Sequence, residues 1–173
     1  MAKIILVNEK DEVIGSKERN DRDGNDIIRV SGVWVFNSAK EVLIAQRSLD
    51  KAYDPGKWGP SVAGTLEEGE TYASNAIKEA KEEIGLSLAE KDLIPGAYRF
   101  AQTKHKYFYQ SFFVKADIPI EDFAFQEEVE QLRWIPIDIL LEWVSQKPDD
   151  FIESFRTPES SLYSLSAFLK DIY

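Results

Sequence analysis

The sequence predicts an α/β domain, and three observations carry that prediction. β-Branched and aromatic runs bounded by polar turns recur along the chain. One strongly amphipathic helical stretch sits near the middle, and the chain closes on a second pattern of helical period. With 173 residues, no internal repeat and no low-complexity linker, a single domain over 1–173 with a proper core is expected.

In order, Lys3–Val7 and Glu12–Gly15 read as a short hairpin turning around Glu9–Asp11, followed by a polar loop at Asn20–Asn25. Ile28–Phe36 and Val42–Gln46 read as strands joined by a turn at Asn37–Lys40. Leu49–Pro60 contains Pro55, Gly56, Gly59 and Pro60 and reads as a loop. Ser61–Leu66 is a strand leading to the central helix, in which Ala73, Ala76, Ile77, Ala80 and Ile84 form one apolar stripe. Thr71 is its expected N-cap and Gly85 its expected stop. Strands follow at Tyr98–Thr103 and Tyr107–Ala116, then a long acidic loop at Asp117–Gln131 and a short strand at Leu132–Ile135. Ile137–Val144 is a helix that ends before Pro148, and Ser160–Ile172 is an amphipathic closing helix.

Composition narrows the chemistry. There is no Cys, which excludes disulfides, zinc thiolates and cysteine nucleophiles, and a single His excludes His-rich metal sites. A net charge of -10 argues against broad nucleic-acid binding, though a nucleotide could occupy a locally basic pocket. The apolar run at the start is too short for a signal peptide, and no stretch approaches the roughly 20 apolar residues of a membrane span. A cytoplasmic address is the expectation.

Chemistry concentrates in Gly64–Leu86. Glu79, Glu82 and Glu83 lie at i, i+3 and i+4, so their carboxylates fan out along one side of the helix. Glu79 and Glu83 are one turn apart, of like charge, and have no Lys or Arg three or four residues away; Glu82 has Lys78. A divalent cation would turn that repulsion into attraction, and carboxylates with water and phosphate oxygens are what Mg²⁺ prefers. Taken alone, an acidic face of this kind is more often merely solvated.

The spacing points further. The stretch resembles the Nudix box, G-x5-E-x7-R-E-U-x-E-E-x-G-U with U a bulky aliphatic: Gly64, Glu70, Glu79, Glu82, Glu83, Gly85 and Leu86 match in register. Lys78 stands in place of the family Arg, and Ala80 in place of a larger apolar residue. The resemblance implies an α/β/α sandwich with a mixed sheet and Mg²⁺-dependent cleavage of a diphosphate, with Mn²⁺ as an alternative ion. By position, Glu79, Glu82 and Glu83 would be metal ligands, joined by the Gly64 carbonyl. Glu70 would be structural, paired with position 78. Lys in that place keeps the charge but lacks the planar fork of Arg, which puts catalytic efficiency in question more than metal binding.

A second resemblance narrows the branch. Arg47-Ser-Leu-Asp-Lys51, then Pro55-Gly56-Lys57-Trp58, and the opening VNEKDEVIG are similar to Nudix proteins related to isopentenyl-diphosphate isomerase. The matching Arg and Lys there hold the diphosphate, so Arg47 and Lys51 are the candidate phosphate-binding pair. The isomerase itself is disfavoured. Its catalytic Cys would fall at Ala63 and a ligating His at Thr65, and His105 is the only His for its two further ligands. The implied enzyme is a pyrophosphohydrolase whose small-molecule substrate is a nucleoside diphosphate derivative or a relative of one. A catalytically weak nucleotide-binding module is the alternative, motivated by Lys78. Glu83 and Glu128 are the candidates for general base, Glu128 because the family often supplies a late glutamate from this neighbourhood. The resemblance leaves a homodimer open. The aromatics Trp58, Tyr107, Phe108 and Tyr109 could support substrate, but large aromatics mostly build cores.

Overall fold

The computed structural model describes residues 2–125 and 127–173; Gln126, in the acidic stretch, lies outside them. β1 (Lys3–Val7) and β2 (Val13–Glu18) form the expected hairpin. Asn8 organises its turn, with Oδ1 accepting the N–H groups of Lys10 and Glu12 at 2.9 and 3.0 Å, and Asp11 takes a left-handed φ of 61°. The Asp11 carboxylate then ties the hairpin to the body. It accepts from Arg29 Nε at 2.7 Å, the Tyr72 hydroxyl at 2.9 Å and the Tyr98 hydroxyl at 2.7 Å.

The remaining elements are β3 (Ile27–Phe36), β4 (Glu41–Arg47), β5 (Trp58–Gly59), β6 (Val62–Thr65), α1 (Tyr72–Ile84), β7 (Ile94–Gln102), β8 (Lys106–Lys115), β9 (Val129–Pro136), α2 (Ile137–Gln146) and α3 (Ser161–Ile172). β3 is the hub of a mixed sheet. It runs parallel to β8 from Ile27↔Lys106 to Phe36↔Lys115 and antiparallel to β1, β4 and β6. β7 pairs with the far side of β8, while β9 and β5 pair with β4. Successive side chains of β3 go to opposite layers. Val33 and Val35 pack with Ala76, Ala80 and Ile84 of α1, whereas Trp34 and Phe36 pack with Leu140, Leu162 and Leu165 of α2 and α3. Two covered faces explain why Val33–Phe36 is an unbroken apolar run. The architecture is the α/β/α sandwich expected.

Besides shifts of one to three residues at other ends, such as β2 running to Glu18 rather than Gly15, three differences from the sequence reading stand out. β7 begins at Ile94 rather than Tyr98, because Pro95-Gly96 lies inside the strand at a bulge against β8. β9 begins at Val129, so the acidic loop is shorter; Glu130 and Gln131 are the exposed residues of a strand whose Val129 and Leu132 are buried. The Leu49–Pro60 loop contains the two-residue strand β5, paired to Ala45 and Gln46. Trp58, in that strand, packs edge-on to Trp143 in the core.

Candidate active site

The box folds into a strand, a turn and a helix whose ends are both closed. At the N-terminus of α1, Thr71 and Ser74 form a reciprocal capping box, and Gly85 ends the helix in the left-handed conformation at φ 71°. Asn75 is fully buried on the helix face toward β3, where Ser31 Oγ donates to its Oδ1 at 2.7 Å. Its amide donates to Glu70 Oε2 at 2.8 Å and more weakly to Thr65 O and Glu79 Oε1. Gly64 of β6 lies directly beneath Glu79, and a Cβ there would collide with the Glu79 side chain. This is a close approach that glycine alone allows. One residue earlier, the Ala63 N–H donates to Glu83 Oε2 at 3.4 Å.

A cleft of about 660 Å³ opens between this unit and the end of β4. Gly64, Glu79, Glu82 and Glu83 line one wall, and Arg47, Lys51 and Glu128 line the other. Lys78 reaches its edge, while Glu70 stands behind it. Residues far apart in the chain, drawn from β4, β6, α1 and the approach to β9, thus meet in one place.

The electrostatics of the carboxylates are uneven. Burial, with Glu79 and Glu128 nearby, pushes the Glu83 carboxyl up to about 8. Burial also raises Glu79, to about 7; Lys78 opposes that rise, and Glu82 and Glu128 add to it. Glu70 goes the other way. Burial would raise it, but hydrogen bonds from the Glu67 N–H, Lys78 and Asn75 prevail and lower it. Glu70 Oε1 is 2.6 Å from Lys78 Nζ, which also lies 2.9 Å from Glu67 Oε2 and 3.8 Å from Glu79 Oε1. Burial would depress the Lys78 ammonium, and its bonds to Glu70 and Glu67 raise it instead. Lys78 turns to the loop carboxylates Glu67 and Glu70 and makes no ion pair with Glu82, four residues further along the helix, which is exposed.

On the facing wall, Arg47 Nε donates to Tyr53 O at 3.0 Å. Lys51 Nζ is 2.6 Å from Glu128 Oε2, so a candidate phosphate ligand and a candidate base are held by each other. Among the described residues, no three acidic or His side chains close into a single cage. The donors in the cleft are nonetheless hard oxygens. Two of them are carboxylates driven toward protonation by burial and like charge, an environment that a divalent cation would relieve.

The family model described as a NUDIX domain matches residues 27–155. The chain belongs to the Nudix family. An uncharacterised Nudix hydrolase of Pseudomonas aeruginosa is 31% identical over 149 residues, covering 84% of this chain and 85% of the relative. An isopentenyl-diphosphate Δ-isomerase of Burkholderia multivorans is 28% identical over 154 residues, covering 86% of each chain. Among solved structures, the DR0079 protein of Deinococcus radiodurans superposes with a TM-score of 0.67 at 25% identity, covering 83% of this chain and 89% of that one. This Nudix chain is a hydrolase of the pyrophosphohydrolase type, acting on acid anhydrides of phosphorus. It also sits close to the isomerases, as its loop before the box suggested.

Two residues of the Nudix unit escaped the sequence reading. Glu67 shares Lys78 with Glu70, and nothing in its spacing marks it. Asn75 left a signal that could have been used: a polar residue on the apolar stripe, one turn before Glu79.

Proposed function

We propose that this chain is a Mg²⁺-dependent hydrolase of nucleoside diphosphate derivatives, with Mn²⁺ as a substitute ion. The observation that carries the reading is the cleft with two unlike walls: carboxylates of α1 on one side, Arg47 and Lys51 on the other. Glu79, Glu82 and Glu83, with the Gly64 carbonyl, would hold the ion. When bound, the ion neutralises charge on the phosphoryl oxygens and lowers the pKa of a water. Arg47 and Lys51 would bind non-bridging oxygens of the diphosphate, Lys51 by exchanging Glu128 for phosphate. Glu83 or Glu128 takes the proton of the attacking water. The water oxygen bonds to phosphorus as the anhydride P–O bond breaks, and the electron pair leaves with the departing phosphate.

A single domain over 1–173 and a cytoplasmic address belong to the same proposal; no helix among the described residues is long and apolar enough to cross a membrane. A nucleotide-binding module with weak turnover is the second reading, favoured by one feature, the Lys78 ammonium in place of an Arg fork.

The test is incubation with Mg²⁺ and a panel of nucleoside diphosphates, triphosphates, nucleotide sugars and isopentenyl diphosphate, with the products resolved. Release of phosphate or a monophosphate is expected, reduced about 10²–10⁴-fold in Glu83→Gln and also lost in Glu82→Gln. Binding without turnover would favour the module, and full activity in both Glu79→Gln and Glu82→Gln would remove the assignment.

A further inference from the structure

Lys78 leaves a geometric deficit that a second residue makes good. A carboxylate has two oxygens, and the planar guanidinium of Arg can meet both with parallel N–H donors. Lys78 brings a single ammonium, and its Nζ sits 2.6 Å from Glu70 Oε1. The other oxygen, Oε2, accepts from the Asn75 amide at 2.8 Å and from the Glu67 N–H at 2.8 Å. The same two side chains converge on Glu79. Asn75 Nδ2 lies 3.4 Å and Lys78 Nζ 3.8 Å from Glu79 Oε1. Positions 75, 78 and 79 share one side of α1, since residues three and four apart on a helix are neighbours.

Asn75 is costly where it stands. It has no exposed surface and sits beside Ala76 on the buried side of α1. Asn is a poor helix former, and a buried amide costs stability unless its polar atoms are paired. Ala would serve the packing alone. Here both polar atoms are met. Ser31 Oγ, on β3, donates to Asn75 Oδ1 at 2.7 Å. The three groups facing Nδ2 are the Glu70 and Glu79 carboxylates and the Thr65 carbonyl of β6. All three are acceptors, so the amide nitrogen must face them. The amide is thus held from the sheet and aimed at the box carboxylates.

We propose that Asn75 and Lys78 together replace the one Arg of the family pattern. Lys78 supplies the charge and the contact to Glu70 Oε1, Asn75 supplies the second prong to Oε2, and the pair holds Glu70 and Glu79 as a unit. Asn75 is then a positioning residue that acts through Glu79. The inference rests on the reading that Glu79 helps hold the ion. It also removes the one support of the weak-turnover module, because the missing Arg fork is compensated.

The experiment is a double-mutant cycle on the intact chain with Asn75→Ala, Lys78→Arg and the two combined. Three quantities are read: Mn²⁺ binding without substrate by electron paramagnetic resonance, kcat on the panel nucleotide that the parent turns over fastest, and melting temperature. Mn²⁺ binding is counted as the part lost in Glu79→Gln, since a chain of net charge -10 also attracts ions diffusely. Asn75→Ala should weaken that binding and lower kcat, each about tenfold. Lys78→Arg should bring no gain in the parent, where Oε2 is already occupied, yet restore most of the loss in the Asn75→Ala background. The melting temperature should stay depressed in the combined variant, because Lys78→Arg does nothing for the Ser31 hydroxyl. Recovery of binding without recovery of stability separates positioning from packing. If Asn75→Ala melts too early to titrate, Asn75→Leu keeps the volume without the donor and takes its place in the cycle. Additive effects, or parental Mn²⁺ affinity and kcat in both Asn75 variants, overturn the inference. If Glu79→Gln removes no Mn²⁺ binding, the ion reading falls instead, and the rescue is judged on kcat.

Discussion

The α1 wall of the cleft is held by regular structure at every step, whereas the facing wall is the last residue of β4 and the turns that follow it, closed across the cleft mouth by the Lys51–Glu128 ion pair. Glu79 and Glu83 ride a helix with a capping box, a glycine stop, a buried Asn75 and the Lys78 contacts to Glu67 and Glu70. Arg47 and Lys51 stand where β4 runs out, in a segment with left-handed backbone at Asp54 and Gly56. That segment is secured by Gly56 N–H to Arg47 O at 3.1 Å, Gln46 to Gly56 O at 2.8 Å and Ser48 N–H to Glu128 O at 3.1 Å. The contrast separates two tasks. Under the proposed assignment, the α1 carboxylates that would hold the ion are fixed before substrate arrives, as preorganised charge requires. Groups that would grip phosphate can exchange partners, as Lys51 would on leaving Glu128.

The contrast can be broken from the rigid side. Gly64→Ala places a methyl where the Glu79 carboxylate lies, and displacing a ligand or its support should weaken Mg²⁺ affinity about 10–100-fold. Titration of Mg²⁺ against activity measures it, and an unchanged midpoint would show that Glu79 is as adaptable as the loop wall. A smaller effect is expected on the other side. Lys51→Met should raise KM about tenfold with kcat nearly kept, since one charge-assisted contact to the bound diphosphate is lost. A large fall in kcat instead would mean that Lys51 acts through Glu128 on the chemistry.

The smallest effect sharpens the comparison by pH. Glu79 and Glu83 have raised pKa values, about 7 and 8, against an unfolded value of 4.5. Between those limits the folded chain holds more protons than the unfolded one, so stability without metal should fall as pH rises from about 4.5 to about 8. A cation needs both carboxylates ionised and compensates their charge. The rise in melting temperature on adding Mg²⁺ should therefore be larger at about pH 8.5 than at about pH 5.5. Equal shifts at both pH values would place the cation away from these two residues.

The helix wall was legible in the sequence because its determinants are local. The stripe, the Thr71 cap, the Gly85 stop and the spacing of the three glutamates all lie within one short segment. The facing wall was legible only as a resemblance, since Arg47, Lys51 and Glu128 meet through strand pairing of β4 with β9. β7 was truncated in the reading because Pro95-Gly96 mimics a turn, and only β8 alongside makes it a bulged strand. The small cavity of about 150 Å³ beside the cleft could not be read at all, because its walls come from β3, β6, β7, β8, the segment before α3 and the first residue of α3.

The parallel pairing of β3 with β8 has a consequence for how the enzyme is made. Two parallel neighbours cannot be joined by a tight turn, and here the connection holds β4, β5, β6, α1 and β7. As the chain leaves the ribosome, α1 and its acidic face are complete before β8 exists to supply Phe112 and Val114 beneath the stripe. Contacts across so long a separation form slowly. The box glutamates are thus synthesised early, on a helix that can meet β3, β4 and β6 at once but lacks the β8 part of its floor until that strand is made.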